Sequence, residues 1–191
     1  MDRSAVLGPN GSGSLGGDAL SAREFIPVGI AVMTVSDTRT DETDTSGRYL
    51  ASAIAETGHR LAGKAIVPDD AQRIAAQMRE FCHDGAVDVI ISTGGTGLTR
   101  RDVTPEAVMP LFDKVIEGFA AVWHRVSYDS IGLSTIQSRA CAGVVNGRFV
   151  FCLPGSNGAV RDGWTKVIAP QLDHRTRPCN LIEIMPRLME S

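Results

Sequence analysis

The chain has 191 residues, 43% of them hydrophobic and 21% charged, with 19 Lys and Arg against 22 Asp and Glu for a formal net charge of −3. A chain of this length buries roughly 70% of its unfolded surface without metal or disulfide staples, and the composition excludes disorder for most of it. The charge balance excludes the broad positive field that draws a domain to nucleic acid or anionic lipid, and no apolar run approaches the ~20 residues of a membrane helix.

Residues 1–24 carry five of the 20 glycines (Gly8, Gly11, Gly13, Gly16 and Gly17) among Ser, Pro and Asn, the texture of a flexible tail. A single globular domain is expected over 25–191. Since the N-terminus has no continuous apolar stretch of a secretory signal, a cytoplasmic location with reduced thiols is expected. Val28 to Val35 is a near-continuous apolar run that predicts a strand buried on both faces, ended by Ser36-Asp37-Thr38-Arg39. Asp44-Thr45-Ser46 supplies capping chemistry for a short helix whose Leu50, Ala53 and Ile54 share a face until Gly58. A second strand, Arg60 to Val67, ends at Pro68-Asp69-Asp70. Beyond it Ile74, Met78, Phe81 and Cys82 fall on one helical face, with Asp70 as the predicted N-cap. Val87 to Ser92 reads as a third strand, followed by Thr93-Gly94-Gly95-Thr96-Gly97 and by Thr104-Pro105-Glu106, a helix start.

Helical texture continues over Glu117 to Tyr128 and Ser134 to Arg139. Asn146-Gly147 signals a two-residue hairpin turn that sets Cys141 opposite Cys152, where a small apolar filler role is favoured over a disulfide. The second arm runs into Pro154-Gly155-Ser156. Val160, Trp164, Val167 and Ile168 then mark a helix that is expected to end before Pro170. The resulting fold class is α/β: a doubly wound, mostly parallel sheet with helices on both faces and a β-hairpin, in one domain.

Ligands of open α/β sheets bind beyond the carboxyl ends of the strands, which gives four polar loops the most weight. Glycines 94, 95 and 97 let backbone approach an anion, yet the loop fits neither the dinucleotide-binding fingerprint nor the P-loop, which needs Gly-Lys-Ser/Thr. Asp69 and Asp102 follow strand ends and could jointly hold a hard divalent cation. Plain structural roles compete: Asp69 could cap the helix beside Asp70, Asp102 could start the turn into Thr104, Asp37 could form an Asx turn, and Ser156 or Asn157 could cap the next helix. Arg39, Arg100, Arg101 and Arg139 are the local positive charges. No C-x-x-C occurs among Cys82, Cys141, Cys152 and Cys179, and the four histidines are scattered, so structural zinc is not expected.

Thr34-Val35-Ser36-Asp37, Thr93-Gly94-Gly95-Thr96-Gly97, Arg101-Asp102-Val103-Thr104-Pro105-Glu106-Ala107 and Pro154-Gly155-Ser156 together resemble the MogA/MoaB family of molybdenum cofactor biosynthesis proteins. The similarity spans roughly residues 26 to 180. It implies a domain that binds molybdopterin and uses ATP with Mg²⁺ to make adenylylated molybdopterin and pyrophosphate. By that resemblance Asp69 and Asp102 match the family's catalytic, Mg²⁺-holding aspartates. Thr93, Gly94, Gly95, Thr96 and Gly97 match the pterin-site segment, and Ser36 and Asp37 match the first substrate loop. Pro154, Gly155 and Ser156 match a loop lining the nucleotide or pterin pocket. Ile168-Ala169-Pro170-Gln171-Leu172 and Arg175-Thr176-Arg177-Pro178-Cys179-Asn180 resemble the MoaB branch, where catalytic competence is less uniform. The resemblance therefore carries an alternative, a catalytically weak or inactive molybdopterin- or nucleotide-binding scaffold. It also implies a homotrimer or dimer of trimers, with no nucleic-acid or membrane partner.

Overall fold

Gly29–Val35, seven residues without a charge, form β1, and every one of them is buried. This computed structural model describes residues 23–190, so the expected tail lies almost wholly outside the described residues. At the domain's edge Arg23 forms an ion pair with Glu183, and the ring of Phe25 stands 4.8 Å from that of His59.

β1 is flanked in parallel by β2 (Arg60–Val67) and β3 (Val89–Thr93), and β3 pairs in parallel with β6 (Arg148–Leu153). β5 (Cys141–Val145) and the two-residue β4 (Lys114–Val115) complete the sheet antiparallel, in the order β2-β1-β3-β6-β5-β4. Alternate residues of β1 feed opposite cores, as the two-residue period of a strand requires. Ile30 and Val32 pack with Leu50 and Ile54 of α1 (Thr45–Glu56), Trp123 of α4 (Glu117–Ile131), and Val160 of α5 (Asn157–Asp162) with the following Trp164. Ala31 and Met33 pack with Ile74, Met78 and Phe81 of α2 (Ala71–His83) and Val108 of α3 (Thr104–Val108). Each large side chain withdrawn from water in this way contributes about 1.5–3 kcal/mol. The expected sheet with helices on both faces is therefore the one observed.

Local chemistry explains the element ends. Asp44, wholly buried, caps α1 by accepting from the Gly47 amide at 2.9 Å and ties the helix to β1 by accepting from Thr34 Oγ1 at 2.9 Å. Asp70 caps α2 by accepting from the Arg73 amide at 2.9 Å. The hairpin turns at Asn146 (φ 47°) and Gly147 (φ 72°), with Cys141 opposite Cys152 and both thiols free and buried.

Two expectations need correction. The segment after α5 does not end before Pro170: a π-helical turn, Gly163–Ile168, leads into α6 (Ala169–Gln171). Across that turn the Ala169 amide donates to Trp164 O, five residues back, so the ladder has shifted before the proline that lacks an N–H. The helical segment placed at Ser134 to Arg139 is a 3-10 helix over Gly132–Gln137, leaving Arg139 outside it, before β5. β4 and the short α7 (Leu181–Ile184) were not anticipated.

The connections fix where a ligand enters. The helix after β1 covers one face of the sheet and the helix after β3 the other, so the chain parts between the carboxyl ends of these two strands. The helix after β6 returns to the first face, opening a similar parting between β3 and β6.

Candidate active site

The glycine-rich loop leaves β3 at that parting. Gly94 has φ +101°, and a Cβ on it would lie 2.3 Å from the carbonyl oxygen of Val35 at the end of β1. Only glycine permits both the conformation and the approach. On the other side the Gly94 amide donates to Leu153 O at 3.0 Å, Thr93 Oγ1 donates to Pro154 O at 3.2 Å, and a Cβ on Gly155 would lie 3.2 Å from Gly94 Cα. Thr104 closes the loop from beneath: its hydroxyl donates to Gly94 O at 2.9 Å and its amide to Gly95 O at 3.0 Å. Three strand ends thus share one strip of bare backbone.

Asp70 rather than Asp69 caps α2, which leaves the Asp69 carboxylate available to the loop. A Cβ on Gly95 would lie 3.1 Å from Asp69 Oδ1. The Asp69 amide donates to Asp37 Oδ1 at 3.2 Å, and the Asp37 carboxylate is also ion-paired with Arg101. Asp37 therefore braces Asp69 instead of forming an Asx turn. Asp102 stands against the other end of the loop, its Oδ2 2.8 Å from where a Cβ on Gly97 would be. That oxygen accepts from Thr99 Oγ1 at 2.6 Å and from the Thr99 amide at 2.9 Å.

Electrostatics link the two carboxylates. Burial, and secondarily the negative charge of Asp102, raise the pKa of Asp69 above the usual carboxylate value. The hydrogen bond from the Thr99 hydroxyl is the main cause of a lowered pKa at Asp102. A cation between them would relieve the penalty that the charge of Asp102 places on ionised Asp69. Among the described residues no group of three His, Cys, Asp or Glu side chains is arranged to hold a metal. Two carboxylates suit Mg²⁺, which keeps waters and completes its octahedron with substrate phosphates.

The remaining predicted residues divide by role. Ser36 Oγ accepts from the Thr38 and Arg39 amides, each at 3.2 Å, and so shapes the first loop. Ser156 caps α5 by accepting from the Ala159 amide at 3.3 Å, while Asn157 accepts from Thr45 Oγ1 at 2.9 Å. Thr93 and Thr96 are buried, so in this structure they build the loop from within. A cavity of about 320 Å³ opens beside Asp102, lined by Leu98, Thr99, Arg100, Glu106 and Arg139. A larger one of about 580 Å³, mostly apolar, shares Glu106 and Arg139 but includes neither Asp69 nor Asp102 in its walls. Sequence reasoning did not assign Thr99, Thr104 or the partners of Arg101 and Arg139. The one available signal was their position within or near the Gly-rich segment and its Arg-Asp-Val-Thr continuation.

Residues 31–174 match the family described as probable molybdopterin binding domain. Molybdenum cofactor biosynthesis protein B of Escherichia coli strain K12 is 51% identical over 157 residues, 82% of this chain and 92% of that protein. A crystal structure of a molybdenum cofactor biosynthesis protein B superposes with a TM-score of 0.80 at 39% identity, covering 88% of this chain and 100% of that one. The crystal structure of the tungsten cofactor synthesizing protein MoaB from Pyrococcus furiosus gives a TM-score of 0.71 at 32% identity, covering 86% and 98% respectively. The fold, the ordered motifs and these likenesses agree, and the chain belongs to the MogA/MoaB family of molybdenum cofactor biosynthesis proteins.

Proposed function

We propose that this chain binds molybdopterin and ATP at the glycine-rich loop and transfers the adenylyl group to molybdopterin, releasing pyrophosphate. The observation that carries this reading is the approach of Asp69, from the end of β2, to Gly95 of the loop after β3, the same loop whose Asp102 carboxylate stands against Gly97. In the reaction a terminal phosphate oxygen of molybdopterin attacks the α-phosphorus of ATP in line. The bond from that phosphorus to the α–β bridging oxygen breaks, and its electron pair leaves with pyrophosphate. A phosphate is already a nucleophile, so the chain needs no activating base. Its task is to align two polyanions and offset their repulsion.

Asp69 and Asp102 would hold the Mg²⁺ that accompanies ATP, and when bound that ion supplies neutralisation of phosphate charge. The loop backbone positions phosphoryl oxygens at the parting of β1 and β3. Asp37, fixed by Arg101, braces the backbone of Asp69. We read the protein as a homo-oligomer, a trimer or dimer of trimers. The exposed apolar side chains of Leu98, Leu133 and Ile136 (67%, 72% and 69% accessible) support burial against another copy.

A second reading, a scaffold that binds without turnover, is favoured by the identity to protein B relatives, whose name states no adenylyl transfer. Pyrophosphate release by the full chain with ATP, Mg²⁺ and molybdopterin separates the two. Pterin-dependent release is expected; binding of both ligands without release favours the scaffold, and ATP loss without pterin overturns both in favour of a hydrolase.

A further inference from the structure

Arg139 lies 37 residues beyond Asp102 in the chain, yet its side chain closes the loop that carries Asp102. Its Nε donates to Gly97 O at 2.8 Å and its Nη2 to Asp102 O at 2.7 Å, while Nη1 is ion-paired with Glu106. Its own amide donates to Thr96 O at 3.0 Å. One guanidinium thus grips both ends of the 97–102 loop and anchors them to the first turn of α3.

Inside that loop, only the side chain of Arg101, ion-paired with Asp37 beyond β1, reaches another strand end. Thr99 and Asp102 bond to each other, through two contacts to Oδ2 and one from the Asp102 amide to Thr99 O at 3.0 Å, which fixes the shape of the turn but not its place on the sheet. Leu98, Thr99, Arg100 and Arg101 are exposed. The loop's position relative to the strand ends is therefore set by the Arg101–Asp37 pair and, at both of its ends, by the bonds from Arg139.

We propose that Arg139 is a positioning residue for Asp102, acting through the two carbonyls it bridges; for turnover this rests on the adenylyl-transfer reading above. The geometry needs a planar fork. Lysine offers one compact ammonium that keeps the charge and the partnership with Glu106 but does not reach both carbonyls and Glu106 together. The proposal therefore predicts that Arg139→Lys behaves like Arg139→Gln and not like the wild type.

The test compares the full chain with R139K and R139Q by pyrophosphate release and by hydrogen exchange. Both variants are expected to lose about 10- to 100-fold in kcat, the scale of displacing a reacting group by up to ~1 Å, with KM for molybdopterin within about twofold. Both are also expected to exchange faster over residues 97–102, with α1 and α2 unchanged. Wild-type kcat in R139K overturns the proposal, as does unchanged loop exchange in both variants. A wild-type chain that releases no pyrophosphate overturns the adenylyl-transfer reading instead, and the exchange data still decide whether Arg139 holds the loop.

Discussion

Gly97→Ala isolates the relation between the glycine-rich loop and Asp102. Gly97 is not among the residues with positive φ, so alanine meets no backbone penalty there. Its Cβ would arrive 2.8 Å from Asp102 Oδ2, 3.0 Å from Cγ and 3.1 Å from Oδ1. Restoring ordinary contact at about 3.4 Å requires the carboxylate to retreat by roughly 0.6 Å. The Thr99 hydroxyl bond, already 2.6 Å long, must move with it. Misplacement by ~1 Å is worth up to about 100-fold in rate, so a loss of about tenfold or more in kcat is expected. Stability should barely change, because the smaller unfolded-state entropy of alanine contributes about 0.4–1 kcal/mol against the crowding. The assay is pyrophosphate release alongside thermal unfolding. Wild-type kcat in a folded Gly97→Ala protein would refute the idea that the position of Asp102 matters.

Three further substitutions test the electrostatics. Asp44→Ala removes a wholly buried carboxylate that accepts from Thr34 and Gly47 and lies 3.5 Å from Lys64 Nζ. It is expected to destabilise by about 3 kcal/mol in urea unfolding, and a loss below ~1 kcal/mol contradicts the capping role. Asp69 and Asp102 should act in opposite directions. With its folded pKa raised, Asp69 contributes stability that is full below the ordinary carboxylate pKa and lost as pH rises through the folded value. Asp102, with its folded pKa lowered, contributes stability that is present above the ordinary pKa and lost as pH falls through the folded value. At pH 7, Asp69→Asn is therefore expected to raise Tm and Asp102→Asn to lower it, the latter by about 1 kcal/mol or roughly 2–4 °C. Shifts of the same sign refute this assignment.

What was legible in the sequence is what periodicity and turn chemistry encode. Ile74, Met78, Phe81 and Cys82 show the buried face of α2 because helical spacing is local, and Asn146-Gly147 shows its hairpin because few residues accept that backbone. β4 left no signal: two exposed residues, one of them Lys114, owe their strand character to β5 beside them. The π-helical turn before Pro170 is equally silent, since apolar spacing is nearly the same through one widened turn. In the candidate site, Asp69 and Asp102 stood out by following strand ends. Asp37, Arg101 and Arg139 also drew notice as polar or charged residues near the loops, but their pairings did not, because bonds from a side chain to a distant partner have no period along the chain.

Mn²⁺ in place of Mg²⁺, followed by electron paramagnetic resonance in the presence of ATP, reads the shared cation directly. Asp69→Asn and Asp102→Asn are each expected to weaken Mn²⁺ uptake by about tenfold, roughly 1.4 kcal/mol, and the double variant to weaken it little further, because both carboxylates serve one ion. Losses that simply add, or uptake indifferent to either substitution, would contradict a single site built from two strand ends.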